Sequence, residues 1–379
     1  MRLTISVLVA LVTIPFVLAI SPNPNYEYHL PNLYDVSSSD PSNDRSSDPS
    51  DPSSDPLSGP QSGWADHLQA QLAQPWPLKN NRHRIKYCYA NKATKDALEC
   101  RMQDAMTLWQ NALGGPPSAM ARYSLFFKAT KDKDHKDLFC YPDFQDMDHK
   151  GTWNTAIKED VLAVFTSSQE GISHATVGFR PGQAMEMVVD HGAEAAVVAH
   201  ELGHVMGMIH EQSRSDRDTY IKFYCENIKG YQEALNAIKQ DPDALAQLAK
   251  NNPPVADDKK EEWFINKICN TMFWSRKYEF LAYAYLKGDG MVGIPVDGDW
   301  GFDFDSIMLY SSFQTAASSL CDYMKDFCVM LRKTTVNGQE TLSTFDSKSK
   351  PSLRDAQFVR KWYPWVGEQV PKTSQKRWD

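Results

Sequence analysis

The chain has 379 residues, of which 42% are hydrophobic, and a formal net charge of −8. This length exceeds that of a usual single domain and allows one large domain or two small ones. The modest negative charge argues against nucleic acid or an anionic membrane surface as a partner.

Residues 1–19 are expected to form a secretory signal peptide. Arg2 supplies a positive start, residues 3–18 are almost unbroken apolar, and Val17-Leu18-Ala19 ends the run with a small residue suited to cleavage. A membrane anchor is the alternative, but the run is short for a span of about 20 residues and Pro15 interrupts it. We therefore expect a secreted, extracellular protein that has no membrane association once the signal peptide is removed.

Residues 20–75 are expected to be a propeptide or a disordered Ser/Asp/Pro-rich segment. Residues 37–63 contain almost no apolar side chain, so folding could not offset the entropy lost on ordering them. A spacer or an O-glycosylated stalk is an equally open interpretation of this composition. A short helix is expected over Trp64–Leu72, then a folded domain over residues 76–366 and a polar tail over 367–379.

Hydrophobic periodicity predicts the elements of the folded domain. The first are a strand over Arg84–Tyr89 and a helix over Leu98–Leu113, which ends at the Gly114-Gly115-Pro116-Pro117 break. Further strands are expected at Leu125–Phe127, Val161–Phe165, Thr176–Phe179 and Glu186–Val189, and further helices at Tyr231–Lys250 and Leu353–Lys361.

The stretch His200-Glu201-Leu202-Gly203-His204 is typical of a metal-binding helix. Histidines four residues apart lie one turn apart on the same helix face, so both imidazoles can reach one metal ion. Glu201 is placed to hold a metal-bound water rather than the metal itself. Gly207 would let the chain turn sharply out of the helix and bring His210 back as a third ligand. Three protein ligands with a fourth position open to water are typical of a catalytic zinc site.

The alternative interpretation is a buried amphipathic helix with incidental histidines, and Ala195–Ala199 does supply an apolar run. Three histidines that converge on a dry face would be costly unless they coordinate something, so we favour the metal site. The glycine and the third histidine at fixed offsets match the extended metzincin motif.

Two further segments resemble the astacin branch of the metzincins. Glu211 follows the third histidine, and Arg214–Asp218 is similar to the Arg-x-Asp-Arg-Asp run of astacins. Phe302–Tyr310 resembles the astacin Met-turn, in which a methionine lies beneath the zinc and a tyrosine two residues later can bind it. Leu309 stands where astacins usually have histidine, but the roles implied by the resemblance belong to the residues on either side of it.

The resemblance implies an α+β catalytic domain of the metzincin, or zincin-like, type. Such a domain has a twisted mixed sheet, an active-site helix above a zinc cleft, and a mostly irregular and helical lower half. An edge strand, expected around His174–Arg180, would pair with extended substrate by β-augmentation. Astacins are made as zymogens, and Glu211 would pair with the amino group that processing frees. The early Tyr-Cys-Tyr strand and a long insertion that includes residues 231–262 are similar to the astacin-like proteases of fungi.

The implied function is that of a secreted zinc endopeptidase. One zinc ion per chain, on His200, His204 and His210, would acidify a water that attacks a peptide carbonyl, with Glu201 as general base. Tyr310, by the resemblance, would stabilise the developing oxyanion. We expect protein or peptide substrates and a monomeric chain. The alternative is a secreted, catalytically silent binding protein on a metzincin scaffold, which the intact Glu201 disfavours.

Seven cysteines follow the signal peptide, and none belongs to the C-x-x-C pair of a structural zinc site. In an exported protein they are expected to form up to three disulfides. We expect the pairs Cys321–Cys328, Cys88–Cys100 and Cys225–Cys269, although sequence does not fix connectivity. Cys140 is then the candidate for the unpaired cysteine.

Overall fold

The fold is taken from a computed structural model, which describes residues 18–19, 73–157, 160–167, 171–182, 185–251, 253–288 and 301–367. The rest of the expected signal peptide, residues 20–72 with the short helix expected there, and the tail beyond residue 367 lie outside the described residues. Among the residues described, no helix combines the length and the apolar character needed to cross a bilayer.

The described strands form two sheets. They are β1 (Leu18–Ala19), β2 (Leu78–Lys79), β3 (Arg82–Tyr89), β4 (Leu125–Ala129), β5 (Leu162–Ser167), β6 (Ile172–Ala175), β7 (Met185–Asp190), β8 (Ile221–Phe223), β9 (Met330–Val336) and β10 (Gln339–Ser343). The larger sheet has the order β1-β6-β7-β5-β3-β2, with β4 also paired to β3. Strands β3, β4, β5 and β7 run parallel, whereas β6 and β2 are antiparallel to their neighbours β7 and β3. The smaller sheet, β10-β9-β8, is antiparallel. The expected mixed sheet is therefore confirmed.

One of the expected strands is wrong. Strands β3, β4, β5 and β7 confirm four predictions, but Thr176–Phe179 does not form a strand. The strand β6 ends at Ala175, and Gly178 has φ +64°, which interrupts an extended run. The N–H of Gly178 instead donates to the carbonyl of His204 at 2.9 Å. The expected edge is therefore confined to β6, and β1 pairs parallel to its outer side.

The described helices surround these sheets. They are α1 (Lys92–Ala112), α2 (Ala195–Val205), α3 (Arg217–Tyr220), α4 (Tyr231–Gln240), α5 (Pro242–Ala249), α6 (Lys260–Asn270), α7 (Met272–Lys277) and α8 (Leu353–Trp362). Short 3-10 segments lie at Glu211–Ser213, Cys225–Asn227, Asp257–Lys259, Leu281–Tyr285, Ser319–Asp322 and Lys325–Phe327. The single helix expected over Tyr231–Lys250 is two helices, because Pro242 has no N–H to donate and restricts the residue before it. Asp241 caps the second helix instead, accepting from the N–H of Asp243 at 2.9 Å.

Two hydrophobic cores meet at one short turn. The first core packs α1, α2 and α8 against the larger sheet, and it includes Trp109 and the pair Ile307-Met308. The second core is built largely from α4, α6, α7 and the segment after them, and it includes Tyr285 and the pair Leu309-Tyr310. Four consecutive residues thus belong half to one core and half to the other.

Three disulfides brace the described chain, namely Cys88–Cys140, Cys225–Cys269 and Cys321–Cys328. The last two pairings were expected and are confirmed. The expected Cys88–Cys100 pair is wrong, and Cys140 is not the unpaired residue. Cys100 is exposed on α1, two residues from the buried Leu98 and therefore on the opposite face of the helix. Cys88 instead packs in one buried cluster with Cys140, which returns to β3 after β4.

These pairings make Cys100 the only described cysteine that should react in the native protein. Alkylation without reductant should modify it alone, and mass mapping of the peptides checks the site. Cys100→Ser should change the free energy of unfolding by less than about 0.5 kcal/mol, as a surface substitution does. Replacing Cys225 and Cys269 together by Ser should cost about 2–4 kcal/mol. Native alkylation of Cys140 would show that the pairing is wrong.

Candidate active site

The helix α2 carries the first two candidate ligands. From Val197 to its end every residue of this helix is buried, so it runs through the core rather than along the surface. Just beyond its end, Gly207 has φ +107°, a backbone conformation that residues with a side chain rarely adopt. Its N–H donates to the carbonyl of His204 at 2.8 Å and closes the last turn. This turn brings His210 back beside the helix.

The imidazoles of His200, His204 and His210 converge on one point. The Nε2 atom of His210 lies 3.1 Å from that of His204 and 3.2 Å from that of His200. The three nearest ring nitrogens all lie within 4.8 Å of one another. The sequence placed these residues on a helix and a turn, and the fold brings their nitrogens together.

Two backbone carbonyls set the orientation of the helical imidazoles. His200 Nδ1 lies 2.8 Å from the carbonyl oxygen of Ile307, and His204 Nδ1 lies 2.9 Å from that of Met208. A carbonyl oxygen only accepts hydrogen bonds, so each Nδ1 must carry the proton and donate it. Each Nε2 is then left with a lone pair that points to the shared centre, the tautomer that a metal-binding histidine needs.

This arrangement fits a zinc ion. His210 could donate a proton to only one of its two neighbours, whereas a cation can satisfy all three nitrogens. Tetrahedral zinc with Zn–N distances near 2.0–2.1 Å separates its nitrogens by roughly 3.3 Å, close to the spacings observed here. Burial lowers the pKa of His200 to about 4 and that of His210 well below its usual value. Both rings are therefore neutral near pH 7, as ligands must be.

Glu201 is completely buried beside these histidines. Among the described residues, no donor forms a hydrogen bond with either of its carboxylate oxygens. Burial raises the pKa of this carboxyl well above its ordinary value. A buried carboxyl without a partner is costly to the fold, so its position indicates a role in chemistry rather than in stability.

Gly203 allows the Met-turn to approach α2. A Cβ atom at this position would collide with Sδ of Met308 and would lie 3.5 Å from Cζ2 of Trp109. Trp109 also donates from its indole N–H to the carbonyl of Ala199 at 2.9 Å. The methionine therefore lies against the helix between its two histidines, and a larger residue than glycine would have to displace the Met308 side chain.

Tyr310 lies next to the candidate ligands. Its ring centroid is 4.4 Å from that of His210 and 6.2 Å from that of His200. Its backbone N–H donates to the side-chain oxygen of Gln212 at 3.2 Å. Burial, followed by the nearby Tyr285 and Glu201, raises the pKa of the phenol well above its ordinary value. The phenol is therefore a protonated donor close to the candidate base.

Glu211 binds the start of the Met-turn segment, residues 302–310. Its carboxylate accepts from the backbone N–H of Asp303 at 2.8 Å, and Arg214 Nε lies 3.7 Å away. Burial outweighs the attraction of this arginine and raises the pKa of Glu211 to about 8.

Asp355 holds the middle of the turn from α8. Its carboxylate accepts from Ser306 Oγ at 2.7 Å and from the backbone N–H of Ile307 at 2.9 Å. It also accepts from the N–H of Ser352 at 2.8 Å, which completes the capping box of α8. The carbonyl that orients His200 therefore belongs to a residue whose N–H is fixed by the C-terminal helix.

The structure brings together every site residue expected from the sequence: His200, Glu201, His204, His210 and Tyr310. It adds three residues that sequence reasoning missed. They are Gly203, which Met308 approaches closely, Gln212, which binds the Tyr310 backbone, and Asp355, which binds the Ile307 backbone. Only Asp355 had a readable signal, since Ser352-x-x-Asp355 before an apolar helix is a capping-box pattern.

Comparison with protein families assigns the central segment. Residues 152–250 match the peptidase family described as Astacin. This range includes the three histidines and Glu201, and the match confirms the resemblance to astacins. The Met-turn and α8 lie outside the matched range.

The similar proteins align over short segments. Bone morphogenetic protein 1 of Xenopus laevis is 36% identical over 93 residues, which are 24% of this chain and 13% of that protein. High choriolytic enzyme 1 of Oryzias latipes is 41% identical over 51 residues, 13% of this chain and 19% of that protein. Tolloid-like protein 1 of Homo sapiens is 43% identical over 54 residues, 14% of this chain and 5% of that protein. This chain therefore aligns with less than a fifth of each relative.

Among solved structures, one of high choriolytic enzyme 1 from medaka fish, described as a hatching enzyme zinc-protease, covers 75% of this chain. The alignment covers 92% of that chain at 16% identity, with a TM-score of 0.40.

Gly203→Ala should destabilise the protein. The added Cβ displaces Met308, a cost of about 1–3 kcal/mol, which exceeds the gain in helix propensity of about 1 kcal/mol at most. Gly192→Ala is the matched control, because its Cβ would meet only the Asp190 carboxylate at 3.8 Å. Urea unfolding of the metal-free proteins measures both changes. A Gly203→Ala protein as stable as its control would contradict the close contact.

Asp355 should make stability depend on pH. Burial raises its pKa from 3.8 to about 6, so the folded state favours the protonated carboxyl. This contribution is fully present below pH 3.8 and is lost as the pH rises through about 6. The parent should lose about 3 kcal/mol from this group, and Asp355→Asn should lose none of it. Urea unfolding of both proteins at pH 4 and pH 7 measures the difference, and an equal loss in both would rule it out.

Proposed function

We propose that this chain, which carries a segment matching the Astacin peptidase family, is a secreted zinc endopeptidase. The observation that carries the proposal is the convergence of three imidazoles beside a buried carboxyl that has no hydrogen-bond donor among the described residues. Three ligands and an adjacent base are the parts that metal-assisted peptide hydrolysis needs.

His200, His204 and His210 would hold one zinc ion per chain through their Nε2 atoms. When bound, zinc supplies a Lewis acid that polarises a carbonyl and lowers the pKa of a water. The carbonyls of Ile307 and Met208 would keep two of the rings in the ligating tautomer. These contacts restrict ring rotation and so keep the ligands in place through the reaction.

Glu201 would act as the general base. It would take a proton from the attacking water and deliver it to the leaving amine. Its buried carboxylate, which accepts no hydrogen bond from the described residues and adjoins the three imidazoles, supports this role, because both of its oxygens are available to take up a proton and return it.

Tyr310 would donate a hydrogen bond to the oxyanion that develops on the substrate carbonyl. Its position beside His210 supports this role. Its pKa, raised by burial, keeps the hydroxyl protonated and able to donate.

Protein or peptide substrates would bind in extended form along β6. This strand is antiparallel to β7 and lies next to the edge of the larger sheet. Its pairing with Leu18–Ala19 supports the proposal, because an extended peptide would use the same outer backbone groups.

Secretion and activation by processing complete the proposal. Three disulfides support an oxidising compartment, as does the signal peptide expected at the start. Glu211 would pair with the amino group that processing frees. Its buried carboxyl supports this, because a nearby ammonium would stabilise the ionised form that burial disfavours.

Glu201→Gln should abolish turnover without loss of metal. The amide has nearly the same shape but cannot accept the proton, so kcat on denatured casein should fall by at least about 10²-fold. Glu194→Gln, at the exposed N-cap of the same helix, is the matched control and should keep parental activity. Metal analysis should find the same zinc content in all three processed proteins.

Two results would contradict the proposal in different ways. Activity retained by Glu201→Gln would remove Glu201 as the base. A parent protein that binds zinc but does not cleave casein, after loss of its N-terminal segment, would support a silent binding protein instead.

A further inference from the structure

The helical insertion, taken as residues 231–288 between α3 and the Met-turn, contacts Tyr310 through Tyr285. Tyr285, at the end of the 3-10 segment Leu281–Tyr285, packs edge-on against Tyr310 with ring centroids 5.7 Å apart and an interplanar angle of 82°. Its side chain is buried, with 1% of the residue exposed. On its other side, Tyr310 packs against His210. The proposed oxyanion donor is thus held between a candidate ligand and the insertion.

Tyr285 is itself fixed by the segment that follows the third histidine. Arg217 donates from Nη1 to the carbonyl of Tyr285 at 2.6 Å. The guanidinium of Arg217 also lies over the Phe223 ring, 4.7 Å from its centroid. Phe223 in turn stacks on Tyr285 at 5.3 Å and 25°. Arg217 therefore fixes the backbone of Tyr285, and the stacked ring of Phe223 restricts the orientation of the Tyr285 ring.

The hydroxyl of Tyr285 binds the segment that follows Tyr310 in the chain. It donates to the carbonyl of Gln314 at 2.6 Å and lies 3.0 Å from Oγ1 of Thr315. Thr315 has φ +62°, a conformation that a β-branched residue adopts only when its surroundings enforce it. One side chain therefore contacts the ring of Tyr310 and also ties down the backbone that leaves the Met-turn.

A phenol that donates to a developing charge must have its ring in one place before the reaction. Misplacement of about 1 Å can cost on the order of 10²-fold in rate. We propose that Tyr285 is a positioning residue for Tyr310, so that the insertion forms part of the catalytic centre. The inference rests on the proposed function for the role of Tyr310, but the contact between the two rings stands independently of it.

The kinetic test is a double-mutant cycle on the processed, zinc-loaded full chain with casein as substrate. Tyr285→Leu removes the ring contact with Tyr310, and Tyr285→Phe keeps that ring and removes the hydroxyl that binds Gln314 and Thr315. Tyr278→Phe is the matched control, because it removes a tyrosine hydroxyl of the same insertion that binds Asp241 at 2.9 Å. The cycle is closed with Tyr310→Phe, alone and combined with each Tyr285 variant.

We expect Tyr285→Leu to lower kcat by about tenfold with KM nearly unchanged, because the contact matters in the transition state. In the Tyr310→Phe background the same substitution should change kcat by less than about twofold, since the group it positions is already gone. Tyr278→Phe should match the parent in both backgrounds. Zinc content should be the same in all variants.

A second readout does not depend on activity. 3-Fluorotyrosine at position 310 alone reports the surroundings of that ring by ¹⁹F NMR. The parent and Tyr278→Phe should give one sharp resonance at the same shift. Tyr285→Phe keeps the neighbouring ring, so a shifted or split resonance there reports movement of Tyr310 itself.

The outcomes separate this inference from the proposed function. Chelator-sensitive cleavage with equal kcat in Tyr285→Phe, Tyr285→Leu and Tyr278→Phe would overturn the positioning role alone. Additive losses in the cycle would also overturn it, since Tyr285 would then act by a route other than Tyr310. If the parent cleaves nothing, the proposed function fails, and the ¹⁹F spectra still decide: a resonance that stays as sharp in Tyr285→Leu and Tyr285→Phe as in the parent overturns the inference, and a broadened or split resonance in either variant supports it.

Discussion

The rest of the structure depends on holding three imidazoles at one point. Two of them are oriented by single hydrogen bonds to backbone carbonyls, those of Ile307 and Met208. A misplaced carbonyl would rotate a ring and turn its Nε2 lone pair away from the shared centre. The tight turn at Gly207 sets one carbonyl, and the Met-turn sets the other. The geometry of the site therefore depends on two backbone positions, one four residues from the ring it orients and the other 107 residues away.

The Met-turn is where the two cores are joined. Ile307 and Met308 pack with α2 and α8, whereas Leu309 and Tyr310 pack with α4, α6, α7 and the segment after them. The carboxylate of Asp355 binds the backbone N–H of Ile307, whose carbonyl orients His200. The position of His200 therefore depends on the first core, whereas that of Tyr310 depends on the second. Displacing either core against the other would change the distance between metal ligands and phenol. The helices between α3 and the Met-turn therefore contribute to the packing of Tyr310.

Local patterns predicted that His200, His204 and His210 converge, whereas they did not predict the long-range contacts. The convergence could be predicted because helical spacing and one glycine turn determine it. The partner of Cys88 could not be predicted in this way. Proximity in sequence favoured Cys100, which is exposed on α1, whereas Cys140 reaches Cys88 only because the chain pairs β4 with β3 before it. Asp355 could be predicted only as a capping residue, and neither its hydrogen bond to Ile307 nor the contact of Tyr285 with Tyr310 could be predicted, since both join segments far apart in sequence.

The central claim is that one zinc ion on three histidines makes this chain a peptidase. The most direct test is to remove metal from the processed protein with a chelator, return zinc in known amounts, and follow casein hydrolysis with metal analysis. The account predicts that activity is lost with the metal and returns in proportion to zinc up to one ion per chain. Cleavage that survives complete removal of metal, or a chain that binds no zinc, would contradict it.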